Sequence, residues 1–506
     1  MDINHEYTRK ILAAFEQISQ IPRPSKREEK IVAWLLNWAD ENGLETRTDE
    51  AQNVLIKVPA SSGFEHSETL VLQGHMDMVC EKSKGFSHDF DNDPIETVYT
   101  EDGWLTANQT TLGADNGIAI AMAMVAATDD KVNHPPLELL FTTDEETGLT
   151  GASSLQPGFI KGKQLLNIDS EDEGVFTVGC AGGEDARLLL PFIADEKLTG
   201  YEVFNLVAGG MSGGHSGIDI IDGRANALKL LFRAIHVISK ISDVRISTVS
   251  GGTARNAIPR DAEAVLLIPS RDKEHAVNLA EELGKKLQVE YAKTDPNIFI
   301  RLTPGDGDFK AASADLTRLA IDTVFAYPHG IVDMSKDIEG LVETSNNMAT
   351  IKIENDNLII LSNQRSSNMD NLALLCDRIM SVARMAGAVG ETSGGYTSWK
   401  PNMDSQLLAR CLEVYEARFG KKPVVEIIHA GLECGIIGSK YDGMDMISFG
   451  PTIKHPHSPD EKIDHEPLRD SLADSNRRCS GSPPGTRSRG GDRHDRSHPG
   501  GDGIHR

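Results

Sequence analysis

Four short apolar runs, each ending in acidic or histidine residues, constrain the fold of this chain more than any other feature. The runs and the polar residues that follow them are LVLQG with His75 and Asp77, LELLF with Asp144, Glu145 and Glu146, QLLNI with Asp169, and MDMISFG with His455 and His457. Short apolar runs bounded by turn residues are typical of buried strands. Because strands alternate with helices here, we expect a mostly parallel sheet covered by helices on both faces. Sites in such sheets gather where strands end, so these polar residues are expected to converge on metal.

Another acid, Asp115, precedes the stretch NGIAIAMAMVAAT, which is apolar on nearly every side and predicts a buried helix. Taken alone, Asp115 is more typical of a helix cap, and His75 fits a structural histidine as well as a ligand. Glu145 and Glu146 alone fit a solvated acidic turn equally well. Imidazoles and carboxylates together, at the ends of separate strands, instead predict a metal centre. One of the adjacent glutamates then binds metal while the other accepts a proton from the attacking water.

The composition argues against several classes of partner. The 506 residues are 39% hydrophobic and 25% charged, which is ordinary for a globular protein. The net charge of −25 makes nucleic acid a poor partner, because phosphate binding needs clustered Lys and Arg. We recognise no signal peptide and no apolar stretch long enough to span a bilayer. The six cysteines are widely spaced, and we therefore expect a cytoplasmic protein with no membrane partner.

The texture of the chain changes three times, which predicts an interrupted domain. Residues 1–185 and 385–468 are expected to form a catalytic α/β domain. Between them, residues 186–384 alternate amphipathic helices with strands such as RISTV and AVLLI, and we expect an inserted α+β domain. Residues 469–506 are rich in Gly, Pro, Ser and Arg, with almost no apolar side chains. Such a composition cannot bury enough surface to offset the ordering entropy, so an atypical, disordered tail is expected.

The N-terminal helices look structural. The segment IPRPS separates them, and Ser25 and Glu28 have the spacing of a capping box at the start of the second helix.

Six segments resemble a known family of enzymes. GHMDMVCEK, TTLGADNGIAIAMAM, FTTDEETGLTGASSL, LLNIDSEDEG, GGHSGIDI and HSPDEKI resemble the M20 family of di-zinc peptidases, and most closely its aminoacyl-histidine dipeptidases, also called Xaa-His dipeptidases or peptidase D. The resemblance covers nearly everything up to about Leu468. It implies a discontinuous di-zinc peptidase catalytic domain, interrupted by an α+β lid domain through which the protein forms a homodimer. The implied activity is metal-dependent hydrolysis of dipeptides, preferentially carnosine-like Xaa-His peptides.

The resemblance also implies roles for individual residues. Two zinc ions per subunit are held by His75, Asp115 as the bridging ligand, Glu146, Asp169 and His457, which is chosen over His455 because it directly precedes SPDE. Glu145 is then the general base, and Asp77 is the carboxylate that orients His75. His215 stabilises the oxyanion from the lid domain and across the dimer. Asn256 and Arg365 contact the substrate. Co²⁺ and Mn²⁺ are alternatives to zinc because they share such ligands.

Alternative interpretations stay open for these residues and for the function. Without the resemblance, Asp169 fits a loop or helix cap, and His457 fits a surface position. His215 fits an exposed loop histidine, and Arg365 fits a surface salt bridge equally well. Within the family, tripeptide aminopeptidases, carboxypeptidases and N-acyl amino acid deacylases share the metal pattern. A non-catalytic metal-binding relative of the fold is a further alternative.

Overall fold

The computed structural model describes residues 6–336 and 338–465. The tail expected over residues 469–506 lies outside the described residues. Two large β-sheets organise the described chain, and helices alternate with the strands of both. The α/β fold class predicted from the sequence is confirmed.

The first sheet has eight strands and a parallel centre. In spatial order its strands are Glu45–Thr48, Val54–Val58, Leu137–Thr142, Leu70–His75, Gln164–Asn167, Asp445–Ser448, Val175–Cys180 and Val424–Ile428. The third to sixth of these strands run parallel to one another, whereas the first two are joined antiparallel. Parallel strands have their carboxyl ends at the same edge of a sheet, and the loops that follow them meet there.

Helices cover both faces of the first sheet, so its central strands are buried on both sides. One face is covered by Glu6–Ser19, Glu29–Glu41, Ala114–Thr128 and Gln406–Phe419. The other face is covered by Thr150–Ser154 and Glu433–Lys440. Neighbouring strand residues divide between the faces: Ile56 is in the first core and Leu55 in the second. Burial on both sides explains why these strands read as continuous apolar runs.

The capping box predicted at the second helix is wrong. Helix Glu29–Glu41 begins after Glu28, whose side chain does not cap the helix. The Ser25 hydroxyl instead donates to the Asp77 carboxylate (2.8 Å). The Glu28 carboxylate accepts the backbone N–H groups of Lys26 and Asp144, each at 2.9 Å. Both side chains therefore hold distant loops near the ends of the central strands.

The second sheet has nine strands and is antiparallel throughout. In spatial order it contains Phe299–Pro304, Tyr201–Gly209, Ala262–Pro269, Arg245–Gly251, Val342–Glu354, Asn357–Ser366, Gly182–Pro191 and Val389–Tyr396, with Gly330–Met334 paired to the side of Val342–Glu354. Its helices are Ala227–Ser239, Lys273–Glu290, Ala314–Ala326 and Met369–Met385, and their apolar sides share one core with the sheet. A short 3₁₀-helix spans Asp219–Asp222.

Two copies of one βαββαβ arrangement make up the second sheet. The strands from Tyr201 to Pro304 have the spatial order 4-1-3-2 within their unit, and the remaining main strands have the mirrored order 2-3-1-4. The two units meet where Ser250 pairs with Lys352 and Gly251 with Ile351. The second strands of both units thus pair with each other inside one chain.

Smaller sheets complete the described structure. These are a four-stranded sheet of Ile453–Lys454, Lys462–Asp464, Trp104–Ala107 and Thr97–Tyr99, and two strand pairs, Ala194–Glu196 with Ala311–Ala312 and Gly214–His215 with Ala257–Ile258. A short helix, Glu145–Gly148, follows the third strand of the first sheet. We propose that each large sheet is the core of one domain, and that the chain passes between them close to Ala181 and Thr397, because the second sheet extends beyond 186–384 at both ends.

Candidate metal centre and active site

The ends of the central parallel strands bring most of the candidate residues together. His75 is the last residue of its strand, and Asp169 follows the end of Gln164–Asn167. Glu145 and Glu146 begin the short helix after Leu137–Thr142. His457 lies in the loop beyond Asp445–Ser448. Sequence reasoning predicted this convergence from the polar residues that end each apolar run.

Asp115 lies between two histidines, with one carboxylate oxygen directed at each. Its Oδ1 is 3.0 Å from His75 Nε2, and its Oδ2 is 3.2 Å from His457 Nε2. Asp169 Oδ1 is 3.4 Å from the same His75 nitrogen. Glu146 Oε2 is 3.1 Å from the His457 nitrogen. Two groups of one histidine and one carboxylate therefore share Asp115, as expected of a ligand that bridges two metal ions.

Asp77 contacts both the His75 ring and the backbone of the two glutamates. Its Oδ1 is 3.2 Å from His75 Nδ1, on the opposite side of the ring from Asp115. The same carboxylate accepts the backbone N–H groups of Glu145 (3.0 Å) and Glu146 (3.2 Å). Asp77 thus fixes both the imidazole ring and the start of the glutamate helix, which is what an orienting carboxylate does.

The turn before the glutamates has an unusual backbone that is stabilised locally. Asp144 has a φ of 49°, in the left-handed region that Asp tolerates better than most residues. Its carboxylate accepts the hydroxyl groups of Thr147 and Thr150. These contacts hold the sharp turn from which Glu145 and Glu146 project.

Asn116 ties three ligand-bearing segments together. Its Oδ1 accepts the backbone N–H of His75 (3.1 Å), and its Nδ2 donates to the carbonyl of Ile168 (2.7 Å), the residue before Asp169. Gly74 leaves room for this contact, because a Cβ there would lie 2.3 Å from Asn116 Oδ1. Asn116 therefore sets the spacing between Asp115, His75 and Asp169.

The electrostatics of the site couple the histidines to the acids. Burial disfavours a charged imidazole, but Asp169, Asp115 and Asp77 together raise the pKa of His75 well above its usual value. His457 is also buried in part, yet hydrogen bonds with Asp115 and Glu146 raise its pKa to about 11. The two histidines in turn lower the pKa of Asp115, against the effect of its burial.

Three further acids have raised pKa values. Burial is the largest cause for Glu145, Glu146 and Asp169, followed by charges around them. The pKa of Glu145 is raised well above its usual value by burial and by the charges of Glu146, Asp169 and Glu433, with His75 acting in the opposite direction. The two histidines do not balance the negative charge of these buried carboxylates. A bound cation would balance it.

The donor set fits divalent metal ions. One ligand atom from each of His75, Asp115 and Glu146 lies within 4.8 Å of the other two. Glu146 Oε1 and Asp169 Oδ1 are buried and have no hydrogen-bond donor among the described residues. A buried carboxylate oxygen without a donor is costly unless a cation or water satisfies it. Imidazole and carboxylate ligands suit zinc and similar ions.

His215 lies outside the two large sheets, in the strand pair of Gly214–His215 with Ala257–Ile258. Its Nδ1 accepts the backbone N–H groups of Gly217 (3.3 Å) and Ile218 (3.1 Å), so the proton of the neutral ring lies on Nε2. Burial and the charges of Arg365 and His457 lower the pKa of His215 to about 4. His215 is therefore a neutral N–H donor at ordinary pH.

Arg365 is buried rather than exposed, so it is not a surface salt bridge. Only 5% of the residue is accessible, and among the described residues no carboxylate forms an ion pair with it. Its Nη1 donates to the Tyr396 hydroxyl (3.1 Å), while its Nε has no acceptor. Burial is the largest cause of the lowered pKa values of His215 and His429, and the charge of Arg365 lowers both pKa values further.

Asn256 is not brought into the same cluster through its side chain. The residue is exposed, and its backbone carbonyl accepts the N–H of Ser216 (2.7 Å). Asn256 thereby helps to hold the turn that carries His215.

Several residues that act on the site escaped the sequence reasoning. Fully buried Arg23 donates to the carbonyl groups of Met76 (3.1 Å), Asp77 (3.0 Å) and Gly113 (2.6 Å). Its only signal was a basic residue between the prolines of IPRPS. Glu433 accepts Gln73 Nε2 and Thr142 Oγ1, each at 2.6 Å, beneath the ligands. Glu433 is the first residue of a helix and does not end an apolar run, so the pattern that indicated the other acids did not include it.

Comparisons with known proteins agree with this geometry. The model of peptidase family M20/M25/M40 matches residues 71–473. The cytosol non-specific dipeptidase of Escherichia coli K12 is 38% identical over 452 residues, covering 89% of this chain and 92% of the relative. The crystal structure of aminoacylhistidine dipeptidase from Vibrio alginolyticus is 39% identical, with a TM-score of 0.80 over 94% of this chain and 96% of that one.

A more distant structure shares the fold alone. A tripeptidase from Staphylococcus aureus is 15% identical, with a TM-score of 0.52 over 92% of this chain and 96% of that one. None of the helices in the described chain has the length and hydropathy needed to cross a bilayer. The family model covers most of the sequence, and the relatives from E. coli and V. alginolyticus align over nearly their whole length. The chain belongs to peptidase family M20 and is a metallopeptidase.

Proposed function

We propose that this protein hydrolyses dipeptides, with a preference for carnosine-like Xaa-His peptides, and that it uses two zinc ions per subunit. The observation that carries the proposal is the position of Asp115 between two histidine–carboxylate groups, beside the glutamate Glu145, which neither group uses. The relatives named as dipeptidases support the substrate class, and the Vibrio relative supports the histidine preference.

In this proposal one ion is held by His75, Asp115 and Asp169, and the other by His457, Asp115 and Glu146. Zinc ions bound there supply Lewis-acid chemistry, which polarises the peptide carbonyl and makes a water acidic near neutral pH. Co²⁺ and Mn²⁺ suit the same ligands.

Glu145 serves as the general base. Burial and neighbouring acids raise its pKa, which makes its carboxylate a better proton acceptor than an exposed glutamate. Its backbone is held by Asp77, so the side chain is presented from a fixed position. Glu145 accepts the proton of the attacking water and later donates a proton to the leaving amine.

His215 stabilises the oxyanion. The hydrogen bonds to its Nδ1 leave the Nε2–H free to donate, and its low pKa keeps the ring neutral. A well-placed donor of this kind typically contributes about 3–4 kcal/mol to the transition state. The charge of His457 contributes to the lowered pKa of His215 in the same chain, and we therefore propose that His215 acts within its own subunit rather than across a dimer.

Arg365 binds the carboxylate at the end of the dipeptide. It is a buried cation without an acid partner among the described residues, and its Nε, which has no acceptor there, can donate to a substrate oxygen. The Tyr396 hydroxyl holds the other end of the guanidinium. We assign Asn256 a supporting role, through its backbone contact to the turn of His215 and a side-chain contact to the backbone of the substrate peptide.

Homodimerisation through the second sheet and a cytoplasmic location complete the proposal. The resemblance to the family implies the dimer, and the name of the E. coli relative supports the location. If all site residues come from one chain, activity per subunit stays constant when the protein is diluted below its dimerisation constant. Light scattering at the same concentrations measures the oligomeric state.

A substrate panel tests the proposed function. Purified protein is assayed with Xaa-His dipeptides, other dipeptides, tripeptides and N-acyl amino acids, before and after chelation and with zinc added back. We expect cleavage of dipeptides, fastest for Xaa-His, that is lost on chelation and restored by zinc. Faster cleavage of tripeptides or N-acyl amino acids would assign the protein to a different branch of the family. No cleavage of any substrate by zinc-loaded protein would favour a non-catalytic relative.

A further inference from the structure

We propose that Glu461 is a positioning residue that holds Asp115 in place between the two histidines. Its carboxylate is almost completely buried, with 2% of the residue accessible. Oε2 accepts the backbone N–H groups of Leu112 (2.8 Å) and Gly113 (3.1 Å). Oε1 accepts those of Ala114 (2.8 Å) and Asp115 (3.3 Å). One side chain thus binds successive backbone groups of the segment that ends in the bridging ligand.

The backbone of this segment needs such an acceptor. Helix Ala114–Thr128 follows Gly113, which has a φ of 68° and no side chain to cap the first N–H groups. Asp115 and Asn116 have non-helical backbone angles, so the segment makes few hydrogen bonds of its own. Unpaired N–H groups in a buried position cost free energy. Successive N–H groups that converge on one point form an anion site, and here the anion belongs to the protein.

The opposite side of the same segment is held by Arg23. Its Nη2 donates to the carbonyl of Gly113 (2.6 Å). A Cβ at position 113 would lie 2.5 Å from that nitrogen, so Gly113 permits the close approach. Glu461 therefore fixes the N–H groups of the segment while Arg23 fixes its carbonyl group.

Glu461 also links Asp115 to the loop of His457. Two residues of this loop contact Asp115: the ring nitrogen of His457 lies against the Asp115 carboxylate, and the Glu461 carboxylate accepts the Asp115 backbone N–H. A shift of Asp115 would change both histidine groups at once, because each uses one of its oxygens. Loss of Glu461 is therefore expected to weaken both metal sites, not one.

The replacement Glu461→Gln tests this role, with Asp460→Asn as the control. Glutamine keeps the shape of the side chain but replaces one acceptor oxygen by an NH₂ donor, which faces N–H groups. Asp460 is exposed and adjacent, and its replacement removes the same charge. Co²⁺ is titrated into metal-free protein by calorimetry and by visible absorption, and kcat and KM are measured separately.

The inference rests on the proposed metal centre, and the titration separates the two. We expect two Co²⁺ per wild-type chain and for Asp460→Asn. For Glu461→Gln we expect an affinity about 10- to 100-fold lower, the usual effect of losing a supporting contact to a ligand. We also expect an altered cobalt spectrum and a lower kcat with little change in KM. A Glu461→Gln variant with native Co²⁺ affinity and spectrum would overturn the positioning role, even if its melting temperature fell. Wild-type protein that binds no Co²⁺ would overturn the metal centre itself, and the positioning role with it.

Discussion

Replacing Arg365 with methionine separates substrate binding from structural support. This guanidinium is buried and donates to the Tyr396 hydroxyl at 3.1 Å, and its Nε has no acceptor within residues 6–336 and 338–465. A buried cation without an acid partner is costly to the fold, and an apolar side chain of similar size often restores or increases stability. We therefore expect Arg365→Met to keep or raise the melting temperature.

The same replacement should strongly reduce activity. Hydrogen bonds to charged groups contribute about 1.5–3 kcal/mol each. Two such bonds from Arg365 to a substrate carboxylate amount to about 3–6 kcal/mol. Since about 1.4 kcal/mol corresponds to a factor of ten, kcat/KM should fall by about 100- to 20,000-fold.

The assay compares free dipeptides with their C-terminal amides. The wild-type protein should lose a similar factor when the substrate is amidated, and Arg365→Met should show little further loss. The matched control is Arg187→Met, which removes an exposed arginine paired with Glu391 in the same sheet. The proposed carboxylate contact is refuted if amidation of the substrate lowers the kcat/KM of Arg365→Met by the same factor as that of the wild-type protein.

Two further predictions follow from close contacts and from buried histidines. A Cβ on Gly217 would lie 2.2 Å from the His429 carbonyl oxygen and 3.1 Å from His215 Cε1. Gly217→Ala should therefore displace the turn of His215, at about 1–3 kcal/mol of strain, and lower kcat more than KM. Gly284→Ala, where a Cβ meets only ordinary contacts, should not; steady-state kinetics showing equal kcat for both variants would count against the prediction. Burial, followed by the charge of Lys229, lowers the pKa of His329 from 6.5 to about 3. The unfolded chain therefore binds this proton first, so stability is lost as the pH falls from 6.5 towards 3. His329→Gln should reduce that loss by up to about 1.4 kcal/mol per pH unit, measured by thermal unfolding of chelated protein between pH 7 and 5; an unchanged slope would contradict it.

The sequence predicted the edge of the sheet at which the site forms, because that information is local. Each apolar run predicts a buried strand, and the polar residue at its end predicts a loop at the same edge of the sheet. His75 and Asp169 were found in this way. The family resemblance added the roles, including the choice of His457 over His455.

Contacts between distant segments were not predictable from local patterns. Ser25 and Glu28 have the spacing of a helix cap, yet their side chains bind Asp77 and the backbone of Asp144 instead. Glu461 binds the backbone of residues far away in the chain. A local sequence pattern does not contain the distant residue, so it cannot show whether a polar side chain bonds within its own segment or with a segment far away in the chain.

The organisation of the second sheet was likewise visible only in space. The sequence predicted an inserted α+β unit from alternating strands and helices. Strand order, however, depends on which edges pair. The mirrored order of the two βαββαβ units, joined through Ser250 and Lys352, appears only in the pairing.

We propose that Glu145 moves the proton while Glu146 binds metal. The most direct measurement combines metal content with turnover of an Xaa-His dipeptide for Glu145→Ala. We expect this variant to retain two zinc ions per chain and to lose about 100- to 10,000-fold in kcat, the typical contribution of general acid–base catalysis. Near-native turnover by a variant that still holds both ions would contradict the account.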